Sequence, residues 1–337
     1  MDWHGKSLKL GLLVIVGALA LRLFAGGGFD TLAQFFSSRE VVSVLLFLET
    51  GRVVTPSPAP PDTQSGQAEE TVPPATEPAP PEQLQAVFSS QDAALVEVNN
   101  VCGYEAAVEQ RLTQTLSWEL TEDAPTVLIV HSHATESYEN TENYVETAGY
   151  RTKDVAYNVV SIGDRLVQAL EKGGIHALHD RQLHDSPSYS DSYVNSRKSV
   201  EDYLKQYPSI RLVLDIHRDS VTDERGKQLR YTVESDSGPV ARLMMVVGTD
   251  AGGLTHPGWP ENMSLAVKLH AQLEKNLPGV CRPISFRSQR FNQDLSPGAL
   301  IVEVGSAGNT RQEALAAAEV LAQAVIDLAH GAGGEKN

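Results

Sequence analysis

Short, fully apolar runs alternate with amphipathic segments over most of this chain. The apolar runs predict buried strands, and the segments with apolar residues three or four positions apart predict helices. Strands alternating with helices are typical of an α/β protein, so we expect a mainly parallel sheet with helices on both faces. The predicted strands are 127–130, 175–178, 211–216, 243–248 and 299–304. The predicted helices are 155–172, 193–207, 263–277 and 312–330.

The N-terminal segment has a different pattern. Residues 8–24 are almost wholly apolar, which predicts a transmembrane helix within an anchor at 1–28. A cleaved signal peptide is the alternative, with 26–28 as a loose cleavage site. We favour the anchor because the apolar run is long for a signal. Lysines before the run place the N-terminus in the cytoplasm and the rest of the chain outside the membrane.

Two further segments separate this anchor from the predicted domain. Residues 29–54 form a juxtamembrane segment, in which the apolar run 41–48 is too short to cross the bilayer. Residues 55–82 are rich in Pro, Thr, Ala and Glu and predict a disordered tether. The domain then occupies 83–337. Its first part, 83–122, fits either an extra strand and helix on the sheet or a docking surface.

Charge and cysteine content narrow the function classes. The net charge of −16 argues against nucleic acid as a partner, because binding phosphates requires a concentrated basic surface. Cys102 and Cys281 are far apart and lie in no zinc-finger spacing, so two unpaired thiols are favoured over a disulfide.

Polar residues interrupt the apolar pattern where three predicted strands end. His131, His133 and Glu136 follow the first strand, His217 ends another, and Glu303 interrupts a late apolar run. The carboxyl ends of parallel strands lie at one edge of a sheet, so these side chains are expected to converge. A carboxylate inside a buried strand is costly unless it is paired or binds a metal. For Glu303, a structural salt bridge to Arg218 is the alternative to a catalytic role.

Asp154 lies just before a predicted helix and has two interpretations. It is either an acid that complements the helix dipole or a group directed at the end of the first strand. Two histidines and one carboxylate with an open fourth position are the ligand set of a hydrolytic zinc site. With zinc bound, a carboxylate that is not a ligand serves as the base. Glu303 is the candidate base.

A polar stretch at 185–196 contains Tyr189 and Tyr193. It is interpreted either as a loop that contacts glycan or peptide or as an ordinary solvated loop.

Several blocks of this domain resemble the stage II sporulation protein P family of membrane-anchored cell-wall hydrolases. They lie in the same order as in that family and cover nearly the whole domain. The blocks are VLIVHSHATESY at 127–138, YNVVSIG at 157–163, HDSPSY at 184–189, LDIHRDS at 214–220, NQDLSPGALIVEVG at 292–305 and GNT at 308–310.

This family is similar in turn to zinc-dependent N-acetylmuramoyl-L-alanine amidases. The resemblance implies Asp154, four residues before an Asn, and His217 as zinc ligands, with Glu303 as the catalytic group. The chain has His131-Ser132-His133 where the amidases have Gly-His. We therefore expect His133 to be a ligand and His131 to be a catalytic neighbour that lies behind it or contacts substrate. Glu136 is the reserve ligand.

The resemblance also implies substrate contacts and partners. Arg197 matches an arginine of the amidase pattern, and the candidate substrate contacts are Arg197, Arg218, Tyr189 and Tyr193. The implied partners are peptidoglycan and sporulation proteins D and M, with a role in engulfment of the forespore. The expected activity is cleavage of the bond between N-acetylmuramic acid and L-alanine, with cleavage of peptide cross-links as a further implied activity. A non-hydrolytic module that binds peptidoglycan or a partner is the alternative. A metal-free hydrolase using Ser132 or Ser137 is disfavoured, since no nucleophile-elbow glycines surround either serine.

Overall fold

The structure is a computed structural model that describes residues 88–118, 120, 123–139 and 149–330. The predicted anchor at 1–28, the juxtamembrane segment at 29–54 and the tether at 55–82 lie outside the described residues and stay predictions. Among the residues that are described, no helix is both long and apolar enough to cross a bilayer.

A seven-stranded sheet forms the centre of the fold, and a separate two-stranded hairpin accompanies it. The sheet contains β1 (Val98–Asn100), β2 (Val127–Val130), β3 (Ala177–His179), β4 (Leu212–Asp219), β7 (Leu243–Val247), β8 (Ile284–Phe286) and β9 (Gly298–Ser306), and the hairpin contains β5 (Thr232–Ser235) and β6 (Gly238–Ala241). The order across the sheet is β1-β8-β7-β9-β4-β2-β3. Its neighbouring strands are parallel except for β7 and β9, which are antiparallel. The predicted α/β class with a mainly parallel sheet is therefore confirmed.

The helices cover both faces of this sheet. They are α1 (Val108–Thr113), α2 (Val159–Lys172), α3 (Ser192–Gln206), α4 (Trp259–Asn276) and α5 (Arg311–His330). Short 3-10 helices lie at Ser90–Leu95, Tyr189–Asp191 and Gln293–Leu295. α2, α4 and α5 belong to one large apolar cluster, and α3 belongs to a second, smaller cluster.

Alternation along the strands assigns each residue to one of these faces, because successive strand side chains point to opposite sides. In β4, Leu214 and Ile216 belong to the large cluster, whereas Val213 belongs to the smaller one. By the same alternation Asp215 and His217 lie on the α3 face. The alternation of side chains along each strand therefore determines which polar side chains of neighbouring strands meet.

The segment that precedes the first central strand joins the sheet. β1 pairs with β8 at one edge, and α1 packs against α4. The described part of residues 83–122 therefore contributes an extra strand and helix to the sheet. This was one of the two alternatives predicted for the segment. Cys102 is half-buried, Cys281 is buried, and both are free thiols.

Candidate metal centre

The register of β4 against its neighbours places three polar side chains on the α3 face of the sheet. Val130 of β2 pairs with Asp215, and His217 pairs directly with Glu303 of β9. Paired residues on neighbouring strands point to the same face. Asp215, His217 and Glu303 therefore lie together near the point where β2 ends.

The segment that follows β2 completes a group of potential metal ligands. His133, Glu136 and His217 each offer a ligand atom within 4.8 Å of the others. His133 Nδ1 lies 3.5 Å from Glu136 Oε1, and His217 Nδ1 lies 3.4 Å from Glu136 Oε2. Glu136 is thus the carboxylate shared by both imidazoles. Glu136 and His217 are buried, and the side chain of His133 is 14% exposed, which leaves one side of the group accessible.

Two neighbours orient the His217 ring. Its Nε2 lies 3.0 Å from Asp215 Oδ1 and 2.8 Å from Ser132 Oγ. The Ser132 amide donates a 2.7 Å hydrogen bond to the same Asp215 oxygen, so the carboxylate is itself fixed. A carboxylate that accepts the hydrogen of one ring nitrogen directs the other nitrogen towards a metal. The Nδ1 atom of His217 is therefore the ligand atom that faces Glu136.

Two arginines hold Glu136 in place. The Arg218 amide donates to Glu136 Oε2 at 3.1 Å, and its guanidinium lies 3.7 Å from Oε1. Arg151 Nη2 donates to Oε1 at 3.3 Å, while its Nη1 pairs with Asp185 at 3.0 Å. Arg151 also lies over the Tyr189 ring at 4.5 Å. The Glu136 carboxylate is consequently held in place by one main-chain amide and by two arginine side chains.

Opposite charges keep the buried group ionised. Burial alone would lower the pKa of His217, but Asp215 and Glu136 outweigh burial and hold this pKa well above its ordinary value. Burial alone would raise the pKa of Glu136, but hydrogen bonds to His133 and His217 hold it well below its usual range. A buried proton on His217 thus balances two carboxylates. A divalent cation would supply the same positive charge at this position.

Glu303 is placed differently from the other carboxylates. Its Oε2 is inaccessible to solvent and has no hydrogen-bond partner among the described residues. Burial raises the pKa of Glu303 to about 8, and the nearby Glu136 charge also raises it, while His217 opposes both effects. The salt-bridge alternative is not observed in the described part of the chain, since Arg218 binds Glu136 instead. Glu303 is half-buried as a residue, but its enclosed and unpaired oxygen beside a potential metal site makes it a candidate for proton transfer.

His131 lies on the opposite face of the sheet from His217. Its Nδ1 donates to the Ile216 carbonyl at 2.9 Å, and its Nε2 lies 2.8 Å from His179 Nε2. Burial lowers the pKa of His131 to about 3. The structure therefore brings His133 into the candidate ligand group and leaves His131 packed behind the strand end, against His179.

Asp154 lies apart from the ligand group. It is exposed, and its Oδ1 accepts a 3.0 Å hydrogen bond from the Ala156 amide in the turn before α2. Asn158, rather than Asp154, caps α2 by accepting from the Val160 amide. The chain after β2 makes isolated bridges from Glu136 to Arg151 and from Ser137 to Asn158. These bridges bring the reserve ligand Glu136 over β4 and direct Asp154 towards solvent.

The candidate substrate residues divide into two pairs. Arg218 is buried and donates to the Ser137 and Tyr150 carbonyls, so its contacts are internal. Arg197 makes two 2.9 Å hydrogen bonds to Asp294. Tyr189 stacks on His133 at 4.5 Å, and Tyr193 meets the same ring edge-on at 5.4 Å. The two tyrosines therefore border the accessible side of the candidate metal centre.

Sequence reasoning missed Asp215, Ser132 and Arg151 as residues that support the site. For Asp215 a signal was present, because it lies two residues before His217 in a strand and so shares its face. For Arg151 there was none, since its contact with Glu136 depends on how two irregular segments bridge.

Fold and site together define an α/β protein with a candidate His-Glu-His metal centre beside its central strands. Comparison with known proteins assigns this chain to a family. The chain belongs to the Stage II sporulation protein P (SpoIIP) family, whose family model matches residues 54–326. The Stage II sporulation protein P of Bacillus subtilis (strain 168) is 31% identical over 221 residues, which are 62% of this chain. The match spans 52% of that relative's length.

Solved structures of amidases are more distantly similar. The N-acetylmuramoyl-L-alanine amidase AmiC2 of Nostoc punctiforme is 17% identical, with a TM-score of 0.36, and the match covers 61% of this chain and 95% of that chain. The N-acetylmuramoyl-L-alanine amidase from Clostridium difficile 630 is 15% identical, with a TM-score of 0.38, and the match covers 62% and 99%. Similarity at this level supports no inference about activity. The family assignment rests on the sequence match.

Proposed function

We propose that this chain is a zinc-dependent peptidoglycan hydrolase that cleaves the amide between N-acetylmuramic acid and the L-alanine of the stem peptide. The observation that carries this proposal is the group of His133, Glu136 and His217, with the unpaired Oε2 of Glu303 on the residue that pairs with His217 across the strands. Membership of the Stage II sporulation protein P family supports a role in sporulation. Cleavage of peptide cross-links is a further activity within the same proposal.

The residues of the site fit a zinc ion. Two imidazoles and one carboxylate form the donor set of hydrolytic zinc sites, which keep a further position open. His133, Glu136 and His217 would hold the ion, with Asp215 fixing the ring of His217. Zinc bound there would lower the pKa of a water molecule towards neutrality and polarise the carbonyl of the scissile amide.

Glu303 supplies the proton transfers. Its unpaired Oε2 would accept a proton from the attacking water as the water oxygen bonds to the amide carbon. When the carbon–nitrogen bond breaks, the same oxygen would return the proton to the leaving nitrogen. A pKa raised by burial makes the Glu303 carboxylate a stronger base for the first step and a ready proton donor for the second. The charge of a zinc ion at the neighbouring ligands would favour the ionised form that the first step requires.

The location and partners belong to the same proposal. The apolar run at 8–24 would anchor the chain as a single-pass protein with its N-terminus in the cytoplasm. The segment at 55–82 would tether the domain on the outer side, where peptidoglycan lies. Sporulation proteins D and M would act with it in engulfment of the forespore.

One experiment tests the catalytic proposal. Full-length chain in detergent is assayed for bound zinc and for release of stem peptides from purified peptidoglycan. We compare the wild type with His217→Ala and Glu303→Gln, and we use the exposed residues His330→Ala and Glu319→Gln as matched controls. We expect His217→Ala to lose zinc and activity, and Glu303→Gln to keep zinc and lose activity. Full activity in Glu303→Gln would refute the role of this residue.

The same assay separates the hydrolase from a non-hydrolytic binding module. A module would sediment with peptidoglycan but release no stem peptide at any zinc concentration. That outcome would contradict the hydrolase proposal and leave the binding alternative.

A further inference from the structure

A trough of about 550 Å³ opens next to the candidate metal centre. Tyr193 connects the two, because its ring lies 5.4 Å from the His133 ring and also lines the trough. From Tyr193 the trough follows the start of α3 past Val194 to Arg197. A molecule that reaches the metal centre over Tyr193 would therefore continue directly into this space.

Two loops in main-chain contact build the opposite wall of the trough. The Gly252 amide donates to the Ser288 carbonyl at 2.8 Å, and the Thr249 amide donates to the Gln289 carbonyl at 3.2 Å. A Cβ atom at Gly248 would overlap the Gln289 carbonyl oxygen, so this close approach requires glycine. The trough is consequently held by hydrogen bonds and is largely pre-formed, as ligand sites usually are.

Exposed aliphatic side chains line this space. Val194 is 69% exposed and Leu254 is 58% exposed, the two highest values among the large hydrophobic side chains that are exposed in the described residues. Single exposed apolar residues are ordinary on protein surfaces. Here both line one cavity that adjoins a candidate reactive centre, and this arrangement is typical of a ligand site.

The rim of the trough also carries guanidinium groups. Arg197 is fully engaged, with two hydrogen bonds to Asp294 and an ion pair to Glu201 at 2.9 Å. Arg290 shares Asp294 at 3.1 Å and donates to the Thr255 carbonyl at 3.3 Å. A guanidinium has five donors, so Arg290 keeps capacity for a further carboxylate. Asp294 fixes both arginines at the rim.

We propose that this trough binds the stem peptide, which is the amino-acid side of the scissile amide. Alanine methyl groups and aliphatic side chains would pack on Val194 and Leu254, and a free carboxylate of the peptide would pair with Arg290. Glycan fits less well, because sugars stack on open aromatic faces. The aromatic residues of the trough, Tyr193 and Phe291, are half-buried, and its exposed hydrophobic side chains are aliphatic. This inference rests on the proposed hydrolase function and specifies that the peptide half of the substrate lies in the trough.

The test compares a long and a short substrate. Full-length chain is assayed on N-acetylmuramoyl-L-alanine and on an N-acetylmuramoyl tetrapeptide, and calorimetry measures binding of the free tetrapeptide. The variants are Val194→Ser with Leu254→Ser, Arg290→Gln, and the control Val101→Ser, which is 56% exposed and does not line the trough.

For the double variant we expect KM on the tetrapeptide substrate to rise about tenfold, with no change on the short substrate. Arg290→Gln should raise KM on the tetrapeptide but not on one with amidated carboxylates. An unchanged KM in the double variant, or an equal rise on both substrates, overturns the proposal.

The binding measurement separates this inference from the proposed function. One possible result is that the wild type binds free tetrapeptide, that the double variant binds it about tenfold more weakly, and that neither releases stem peptide from peptidoglycan. In that case the trough assignment holds and the hydrolase proposal fails. If the wild type hydrolyses the substrate and the trough variants behave as the control does, only the trough assignment fails.

Discussion

On one face of the central sheet, α2, α4 and α5 bury a large continuous apolar core, while α3 covers the other face over a much smaller cluster. The candidate metal centre lies on the second face, where Asp215, His217 and Glu303 replace apolar side chains in otherwise apolar strands. The large core supplies the stability that the polar face does not. The paired ionisable groups of the candidate metal centre, whose burial is costly, thereby lie outside the large core.

His131 and His133 lie on opposite faces because the strand ends at Val130, before the turn at 132–135. His131 continues the alternation of β2, whereas His133 belongs to the turn. Both follow the same strand, yet His131 packs against His179 beneath α2 and His133 joins the ligand group. Gly163 of α2 makes room for the first pair, because a Cβ atom there would contact both imidazoles. One residue type therefore serves packing on one face and belongs to the candidate metal centre on the other.

The largest effect is expected from substitution of the two histidines. His133→Ala should lower hydrolysis about 10⁴-fold and abolish zinc binding, because a catalytic group that acts as a unit fails when one member is lost. His131→Ala should keep zinc and instead reduce the free energy of unfolding. Zinc content and chemical denaturation of both variants check this. Loss of zinc in His131→Ala and not in His133→Ala would reverse the assignment.

Glu303→Gln should lower kcat by about 10³-fold with little change in KM, because it removes proton transfer and keeps the shape of the side chain. Steady-state kinetics on a stem-peptide substrate measure this. The conservative Glu303→Asp variant should recover part of kcat. A rise in KM with unchanged kcat would instead indicate a binding role.

Two fully buried leucines provide a matched comparison of the faces. Leu214 belongs to the large cluster, and Leu128 belongs to the small cluster beneath α3. Each change to alanine should cost about 2 to 5 kcal/mol, with Leu214→Ala near the upper end because its rigid surroundings relax less. Urea denaturation gives both values. A larger loss for Leu128→Ala would show that the α3 face is the more rigid one.

Asp215→Asn should weaken zinc binding about 10-fold to 100-fold, because the amide no longer fixes the ring of His217 as a carboxylate does. Competition with a chelator measures the change in affinity. Unchanged affinity would mean that Ser132 alone suffices to orient the imidazole.

The smallest effect concerns a buried cation on the side of the large core. Lys268 of α4 donates to the Leu112 carbonyl at 2.5 Å, and burial lowers its pKa to about 8 from an ordinary 10.5. The unfolded chain therefore holds more protons between these two values, and the stability should rise by about 2 kcal/mol as the pH increases through them. Below pH 8 the penalty is fully present. Lys268→Met should flatten this dependence in denaturation series at several pH values.

Much of the fold could be predicted because its strands and helices have strong periodicity. β2 coincides with the predicted 127–130, and α5 begins one residue before its predicted start. The helix predicted from residue 155 begins at Val159, since Asn158 caps it. The three-residue strands β1 and β8 were too short to recognise. The reversed direction of β7, β8 and β1 relative to the other strands of the sheet was also missed, because an apolar run does not record the direction of its strand.

Strand parity made part of the candidate site predictable, and the family resemblance indicated His133. His217 and Glu303 lie within strands, so their convergence followed from the sheet itself. Asp154 and Glu136 lie in irregular segments, where sequence spacing does not determine side-chain direction. The bridges of Glu136 and Ser137 to the chain before α2 decided which carboxylate faces the histidines.

The bridged segment at 131–139 determines whether metal binding can precede folding. Its two potential ligands meet His217 only after β2 and β4 have paired, and a helix, a strand and another helix lie between these two strands in the sequence. No unfolded stretch of the chain presents the complete donor set. The proposed metal site would therefore form only as the chain folds, and in the proposed topology folding follows transfer across the membrane.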